Sequence, residues 1–354
     1  MWVSDLRIRD VRNIESAEIA LAPGLNVFVG DNAQGKTTIL ESVGLIARGR
    51  SFRAADARAM IRHGAPSLNA SAVAREGSHD AALGIELTDD TKSFRLNGRE
   101  VPPRDYRGRL EVAVYCGDRL RVLTGGMRER RLFLDRGAAA LWPAAARVQR
   151  EFERVLSQRN AALERRAPEQ ETWDERFAAL GGELRDRRAR YAARLAHEMR
   201  DGFRPAGEHY AIRIDPEPLA DAEAEQHRLR GALKDTCAAE RAAGRSLAGP
   251  HRDAVSMTVD DRDLAEASAG QARSLLLAVT LAALDVYRAE RGAPAVALLD
   301  DLDSELDDRR GAQACEEFAK RGQALVTTAH PAWARALAQP VAVFEVTAGR
   351  VRSA

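Results

Sequence analysis

The octet Gly30-Asp31-Asn32-Ala33-Gln34-Gly35-Lys36-Thr37 places glycines, a lysine and a hydroxyl at the GxxxxGK[ST] spacing. That spacing suits one chemistry, the cradling of a nucleotide's phosphates. Backbone N–H groups of the loop can surround the α- and β-phosphates, Lys36 can reach the β- and γ-phosphates, and Thr37 offers a hydroxyl to Mg²⁺. Thr38 then opens an apolar stretch that reads as helix, whose N-terminus adds partial positive charge at the same point. Only four lysines occur among the 54 basic residues. A lysine kept at this position, where Arg is used nearly everywhere else, points to a requirement for a compact ammonium.

A second set of groups lies far downstream. Ala295-Val296-Ala297-Leu298-Leu299 reads as a buried parallel strand ending in Asp300 and Asp301. Asp300 can orient Mg²⁺ or its waters, and Asp301 can align or deprotonate an attacking water. The competing reading of two Asp at a strand end is a turn or a helix cap. Upstream, Ser268-Ala269-Gly270-Gln271 precedes a long apolar run, so Ser268 and Gly270 could face an anion at a helix start, or simply cap the helix. A helix from about 272 to 290 would be about 28 Å long and lead directly into the Asp300 strand. After that strand come Ser304-Glu305-Leu306-Asp307, a further helix, and the strand 323–329 ending at His330, a structural residue or a γ-phosphate sensor.

The elements that must hold these groups are of two kinds. Residues 1–125 show short apolar runs, such as 25–29, 81–87 and 111–115, separated by Gly, Pro, Asn and Asp. Asn97-Gly98 predicts a hairpin turn. From about Arg128 to Arg204 the texture changes to Ala, Arg, Glu and Leu, with Phe152, Val155, Leu156, Phe177, Leu180, Leu184, Tyr191 and Leu195 at helical spacing and Pro168 as an interruption. Residues 205–245 are Pro- and Asp-rich and then a charged helix, and the β-rich texture returns near Ser246. The expected fold class is therefore mixed α/β, a head assembled from 1–125 and 246–354 with an inserted, mainly helical arm over 126–245.

Composition narrows the function classes. The chain has 354 residues, 45% hydrophobic and 30% charged, with a net charge of +1, so no global basic field marks a nucleic-acid binder. Cys116, Cys237 and Cys315 lack CxxC spacing, which disfavours a disulfide framework and a zinc site and suits a reducing cytoplasm. The apolar charge-free stretch from Ser274 to Leu284 is far short of the ~20 residues a bilayer needs, so no membrane span is expected.

The ordered set of phosphate loop, SxGQ, strand-Asp-Asp, SELD and strand-terminal His resembles the ABC-type ATPase heads of transporter subunits and of the SMC, Rad50 and RecF group. The finer resemblance is to the RecF family. It is carried by Arg12-Asn13, Pro23-Gly24-Leu25-Asn26, the loop itself, Ser51-Phe52-Arg53, Arg130-Arg131-Leu132-Phe133-Leu134-Asp135, Gly249-Pro250-His251-Arg252-Asp253 and Asp300-Asp301 with Ser304–Asp307. The resemblance implies ATP and Mg²⁺ as ligands and extends the nucleotide site to Arg12, Asn13, Thr38 and Gln271. It implies an ATP-dependent homodimer in which Ser268 and Gly270 of one subunit close on ATP held by the other. It further implies a slow, DNA-dependent ATPase that clamps duplex DNA at single-strand gaps, with RecR and RecO as partners and RecA loading as the outcome. Departures are Ala267 where Leu usually precedes the signature Ser, Gly117 for Pro, no Q-loop Gln between Asp105 and Asp135, where Asp118 stands nearby, and Asp301 in place of Glu.

SMC and Rad50 arms need heptads sustained over hundreds of residues, and helices of 20 to 30 residues reach only about 30 to 45 Å. A transporter ATPase subunit is the alternative class. For DNA contact, Arg48, Arg50 and Arg53 form one local basic stretch, with Arg58 and Arg62 beyond, and Arg119, Arg121, Arg128, Arg130 and Arg131 form another; either could bind phosphates or be a solvated face. The fourteen Arg and eleven acidic residues from Arg147 to Arg204 read as a salt-bridged surface.

Overall fold

Alternation along Leu6-Arg7-Ile8-Arg9 builds a strand with one wet face, whereas the unbroken run 25–29 builds one that is dry on both. In the computed structural model, which describes residues 1–166, 170–204, 207–302, 306–337 and 341–354, the chain forms two compact units. One contains Met1–Leu120, Gly202–Ala206 and Arg273–Ala354, and the other Arg121–Asp201 and Gly207–Ala272.

In the first unit the strands are β1 (Trp2–Val11), β2 (Ile14–Ala20), β3 (Leu25–Val29), β4 (Ser67–Glu76), β5 (His79–Thr88), β6 (Lys92–Leu96), β7 (Arg99–Glu100) and β8 (Val112–Tyr115), and, from the far end of the chain, β12 (Val296–Leu299), β13 (Ala324–Thr328), β14 (Val341–Thr347) and β15 (Arg350–Ser353). Two six-stranded sheets result, β2-β1-β4-β5-β6-β7 and β15-β14-β3-β13-β12-β8. The first is antiparallel; Asn97 and Gly98 take φ of 52° and 79°, as a two-residue turn between β6 and β7 requires. In the second, β14, β3, β13, β12 and β8 run parallel and β15 turns back on β14. Helix α1 (Lys36–Arg48) buries Ile39, Leu40, Val43, Leu45 and Ile46 and packs on strands of both sheets, which is why its apolar residues do not keep to one stripe. Gln323, fully buried just before β13, exchanges hydrogen bonds with the Val3 backbone of β1 (2.8 and 2.7 Å) and so stitches the two sheets together.

Flanking β8 are α2 (Pro103–Tyr106) and α3 (Gly117–Thr124). The second unit holds α4 (Met127–Leu141), α5 (Pro143–Glu164), α6 (Gln170–Asp201) and α7 (Ala222–Ala243), and β9 (Tyr210–Asp215), β10 (Ala254–Val259) and β11 (Arg262–Asp263), which form a sheet of order β11-β10-β9. Phe152, Val155, Phe177, Leu180 and Leu184, marked by helical spacing, share its core with Val148, Leu229 and Leu233. Residues 246–272, assigned by texture to the returning head, lie in this unit instead. The reason is β9, concealed in the Pro- and Asp-rich stretch, which pairs with β10 from Ala254–Asp215 to Val259–Tyr210. Pro168 lies outside the described residues.

Helix α8 (Ala269–Arg291) starts earlier than the expected 272. By length and composition it could cross a bilayer, but Leu275, Leu276, Leu277, Leu281 and Leu284 are buried within the chain.

Candidate nucleotide site

In an open α/β sheet the carboxyl ends of the strands form the ligand crevice. Here three adjacent parallel strands, β3, β13 and β12, deliver the phosphate loop, His330 and Asp300-Asp301 to that edge. The loop leaves β3 at Gly30, whose N–H donates to Thr328 O at the end of β13 (3.3 Å). Asp31, Asn32 and Ala33 are exposed. Ala33 (φ 64°) and Gly35 (φ 116°) take left-handed conformations that turn the chain into α1. Lys36 is buried, its Nζ donating to Gly30 O at 2.6 Å and Asp31 O at 2.9 Å, so the ammonium is drawn across the loop.

The two sequence-distant halves meet through Thr37, whose Oγ1 donates to Asp300 Oδ1 at 2.8 Å. Thr327, in β13, donates to the same Oδ1 (2.9 Å) and accepts from the Asp301 N–H (2.8 Å). Asp300 is 6% exposed. Burial and the neighbouring Asp301 carboxylate push its pKa above the ordinary carboxylate value, while the hydroxyls of Thr37 and Thr327 and the charge of Arg53 pull it back. Asp301 itself has φ 50°, a left-handed backbone conformation where the chain leaves β12. His330, exposed beyond β13, donates its backbone N–H to Thr328 Oγ1 (2.8 Å) and caps the short helix Pro331–Arg335.

Arg12 and Asn13 brace the cradle. Asn13 donates from Nδ2 to Ala33 O (3.1 Å) and accepts at Oδ1 from the Thr38 hydroxyl (3.2 Å). Arg12 makes a two-pronged pair with the fully buried Glu41 (2.8 and 2.9 Å), to which Ser51 also donates. The end of β8 contributes Asp118, 3.6 Å from Arg53, and Cys116, whose thiol burial pushes up to about 11.

Other sequence candidates lie elsewhere. Ser268 and Gln271 cap the start of α8 reciprocally, Ser268 N–H to Gln271 Oε1 (3.0 Å) and Gln271 N–H to Ser268 Oγ (3.2 Å), and Ser268 and Gly270 are exposed. They belong to the second unit. Ser304 and Glu305 fall outside the described residues; Asp307 caps the helix Asp308–Arg321.

Several of the arginines proposed for DNA are corrected by their surroundings. Arg130 is 3% exposed, its guanidinium spent on Leu123 O, Val255 O and Asp263. Arg131 donates to Asp253 O (2.6 Å), and Arg48 pairs with Glu111 (2.7 Å) and the Val112 carbonyl. Arg119 donates to Val114 O (3.4 Å). Arg50 and Arg53 are exposed; the Arg121 side chain lies outside the description.

Two site residues escape motif reading, Thr327 and Glu41, and both leave a trace in the sequence, a hydroxyl in the apolar run of β13 and a carboxylate among Ile39, Leu40 and Val43. Ser51, quoted in the Ser51-Phe52-Arg53 segment, shows its partner, Glu41, only in the fold.

The sequence profile of the family described as RecF/RecN/SMC N terminal domain matches residues 2–352. The chain is 34% identical over 349 residues to the DNA replication and repair protein RecF of Synechococcus sp. (strain JA-3-3Ab), covering 93% of this chain and 92% of the relative. It is 33% identical over 350 residues to RecF of Streptomyces avermitilis, covering 93% and 94%. Among solved structures, the recombination mediator protein RecF with ATPrS aligns with a TM-score of 0.89 at 21% identity, over 99% of this chain and 98% of that one. An SMC head bound to the C-winged helix domain of ScpA aligns with a TM-score of 0.60 at 16% identity, over 100% and 97%. The fold is thus that of the ABC-type ATPase heads of RecF and SMC proteins.

Proposed function

The chain belongs to the RecF family, and from that premise we propose that it is an ATP-driven, DNA-binding recombination mediator of RecF type. One observation carries the reading: Thr37 and Asp300, 263 residues apart, share a 2.8 Å hydrogen bond at the mouth of a phosphate cradle. Lys36 and the loop amides grip the phosphates of ATP. The Thr37 hydroxyl and Asp300 carboxylate are paired hard-oxygen donors, which suits Mg²⁺. That ion, when bound, neutralises charge on the β- and γ-phosphate oxygens. Asp301 aligns the attacking water and takes its proton. His330, on the next strand end, contacts the γ-phosphate. An aspartate reaches less far than a glutamate, so hydrolysis is slow and acts as a timer.

Ser268 and Gly270, exposed, and Gln271, half-buried, at the start of a 23-residue helix, are offered to ATP held by a second copy, so ATP closes a homodimer. The closed dimer holds duplex DNA at single-strand gaps in the cytoplasm, with Arg50 and Arg53 as the exposed candidates for phosphate contact, and helps RecA loading with RecO and RecR. Transporter chemistry draws no support from the relatives.

Binding to gapped, duplex and single-stranded DNA, with and without ATP and at several salt concentrations, tests the reading. The expected result is ATP-dependent binding that favours gapped duplex; ATP-independent or absent binding sinks it. Sizing with ATP tests the dimer: Ser268→Arg should bind ATP as a monomer, and a normal dimer would overturn the shared-site arrangement.

A further inference from the structure

A phosphate loop can aim its N–H groups inward only if its outward-facing acceptors are satisfied by something else. In this chain the something else is the turn between β14 and β15. Ala348 N–H donates to Gln34 Oε1 (2.6 Å) and Gly349 N–H donates to Gln34 O (2.9 Å), so one hairpin turn holds both the side chain and the backbone of a single loop residue. Both turn residues are left-handed, φ 49° and 75°. The fit is close on two further sides. A Cβ on Gly349 would stand 2.3 Å from Asn13 O, and a Cβ on Gly30 would stand 2.2 Å from Val346 O. The hairpin is therefore wedged between the loop's first glycine and the β1–β2 turn, whose Asn13 holds the adjoining Ala33 carbonyl.

We propose that the β14–β15 hairpin is a working part of the nucleotide site, with Gln34, Ala348 and Gly349 as positioning residues that set the curvature of the phosphate loop from outside. The proposal rests on the ATP-binding reading above. It adds that phosphate affinity depends on residues more than three hundred positions away that touch no phosphate. The loop cradles the α- and β-phosphates, so loosening it should weaken ATP and ADP by the same factor, whereas damage to γ-phosphate chemistry would spare ADP.

The test is ATP and ADP affinity, by calorimetry in Mg²⁺, for the wild-type chain, Lys36→Ala, Gly349→Ala, Gln34→Met and Gly77→Ala. Gly77 also has a left-handed backbone (φ 60°) but has nothing within 4 Å of a built Cβ, so its variant carries the conformational penalty without the clash. Gly349→Ala should weaken ATP and ADP alike by about tenfold, and Gln34→Met, which keeps the volume but removes the acceptor, by about fivefold. Without nucleotide, Gly349→Ala should melt below Gly77→Ala because it adds the clash with Asn13 O, whereas Gln34→Met, whose lost bond is exposed, should melt near wild type and so reads the loop apart from stability. Affinities in Gly349→Ala and Gln34→Met within twofold of Gly77→Ala, with Lys36→Ala inactive, overturn the hairpin proposal alone. A wild-type chain that binds ATP no better than Lys36→Ala overturns the ATP reading and this inference with it.

Discussion

Asp300 in the head and Asp253 in the helical unit are both buried, 6% and 2% exposed, yet they are held by opposite means. Asp253 is clasped by guanidinium groups, Arg185 at 2.5 Å and Arg188 at 3.2 Å, and Arg188 also makes a two-pronged pair with Asp135 (2.8 and 3.0 Å). A second such knot surrounds Arg159, fully buried, with Asp174 and Glu240 each at 2.6 Å and Ser246 at 2.7 Å. Asp300 is held by two hydroxyls, from Thr37 and Thr327. A carboxylate saturated by cations is committed to the fold, and one held by hydroxyls keeps its charge available to a cation that arrives with substrate. The contrast explains why three family-defining segments that look equally charged in sequence do different work. Asp300-Asp301 faces the crevice, whereas Arg130, Asp135 and Asp253, from the RRxFLD and GPHRD segments, are internal ties of the second unit.

The largest expected effect falls on the hydroxyl-held side. Asp301→Asn keeps the volume and the Asp301 N–H bond to Thr327 but removes the carboxylate proposed as general base, so single-turnover ATP hydrolysis should fall about 100-fold or more while ATP affinity and melting temperature stay near wild type. Hydrolysis within threefold of wild type would remove Asp301 from the chemistry. Next in size is the cation-held side. Arg188→Met leaves Asp135 buried without its partner and should cost about 3–5 kcal/mol, read as a melting transition lower by about 10 °C. The double variant Arg188→Met with Asp135→Leu should recover most of that loss, because no unpaired charge then remains at Asp135. If the double variant is no better than the single one, the pair contributes more than mutual neutralisation.

Histidine 251 sharpens the comparison by pH. Burial lowers its pKa to about 4 from the usual 6.5; Arg252 and Arg131 push the same way, and the Ser246 carbonyl and Asp253 oppose them. The unfolded chain therefore takes up a proton below pH 6.5 that the folded chain refuses until about pH 4. Stability is full above pH 6.5 and falls through that window at up to about 1.4 kcal/mol per pH unit, about 3 kcal/mol in all. Urea unfolding between pH 7 and pH 4 should show a shallower decline for His251→Gln than for wild type, and parallel declines would mean that His251 is protonated in the folded state.

What could be read in advance follows the range of the interactions. The phosphate loop, the Asp300 strand and the His330 strand are local patterns, and each appears where its apolar run ends. The reciprocal cap of Ser268 and Gln271 is equally local. Strand β9 was hidden because Tyr210-Ala211-Ile212-Arg213-Ile214 is short and flanked by Pro and Asp, and only its pairing with β10, more than forty residues away, makes it a strand. The buried arginines were hidden for a related reason. Arg159 and Arg188 sit in the same Arg- and Glu-rich texture as their exposed neighbours, and helical spacing alone does not distinguish a solvated cation from one enclosed by Asp174, Glu240 or Asp135. Thr327 is the clearest case at the site itself, since its partners Asp300 and Asp301 come from the end of a different strand, β12.

The smallest predicted effect tests that last residue. Thr327→Val preserves the β-branched shape in β13 and removes one hydroxyl that donates to Asp300 and accepts from the Asp301 N–H. The loss strands a part-buried N–H next to a left-handed Asp301, which should cost about 1–2 kcal/mol of stability. It should also loosen Asp300 relative to Thr37, so the Mg²⁺ concentration needed for half-maximal hydrolysis should rise several-fold while ATP affinity without metal is unchanged. Thr327→Ser keeps the hydroxyl and should restore the Mg²⁺ dependence. If Thr327→Val keeps the wild-type Mg²⁺ dependence, the Thr327 hydroxyl does not set the position of Asp300, and Thr37 alone is enough to hold it.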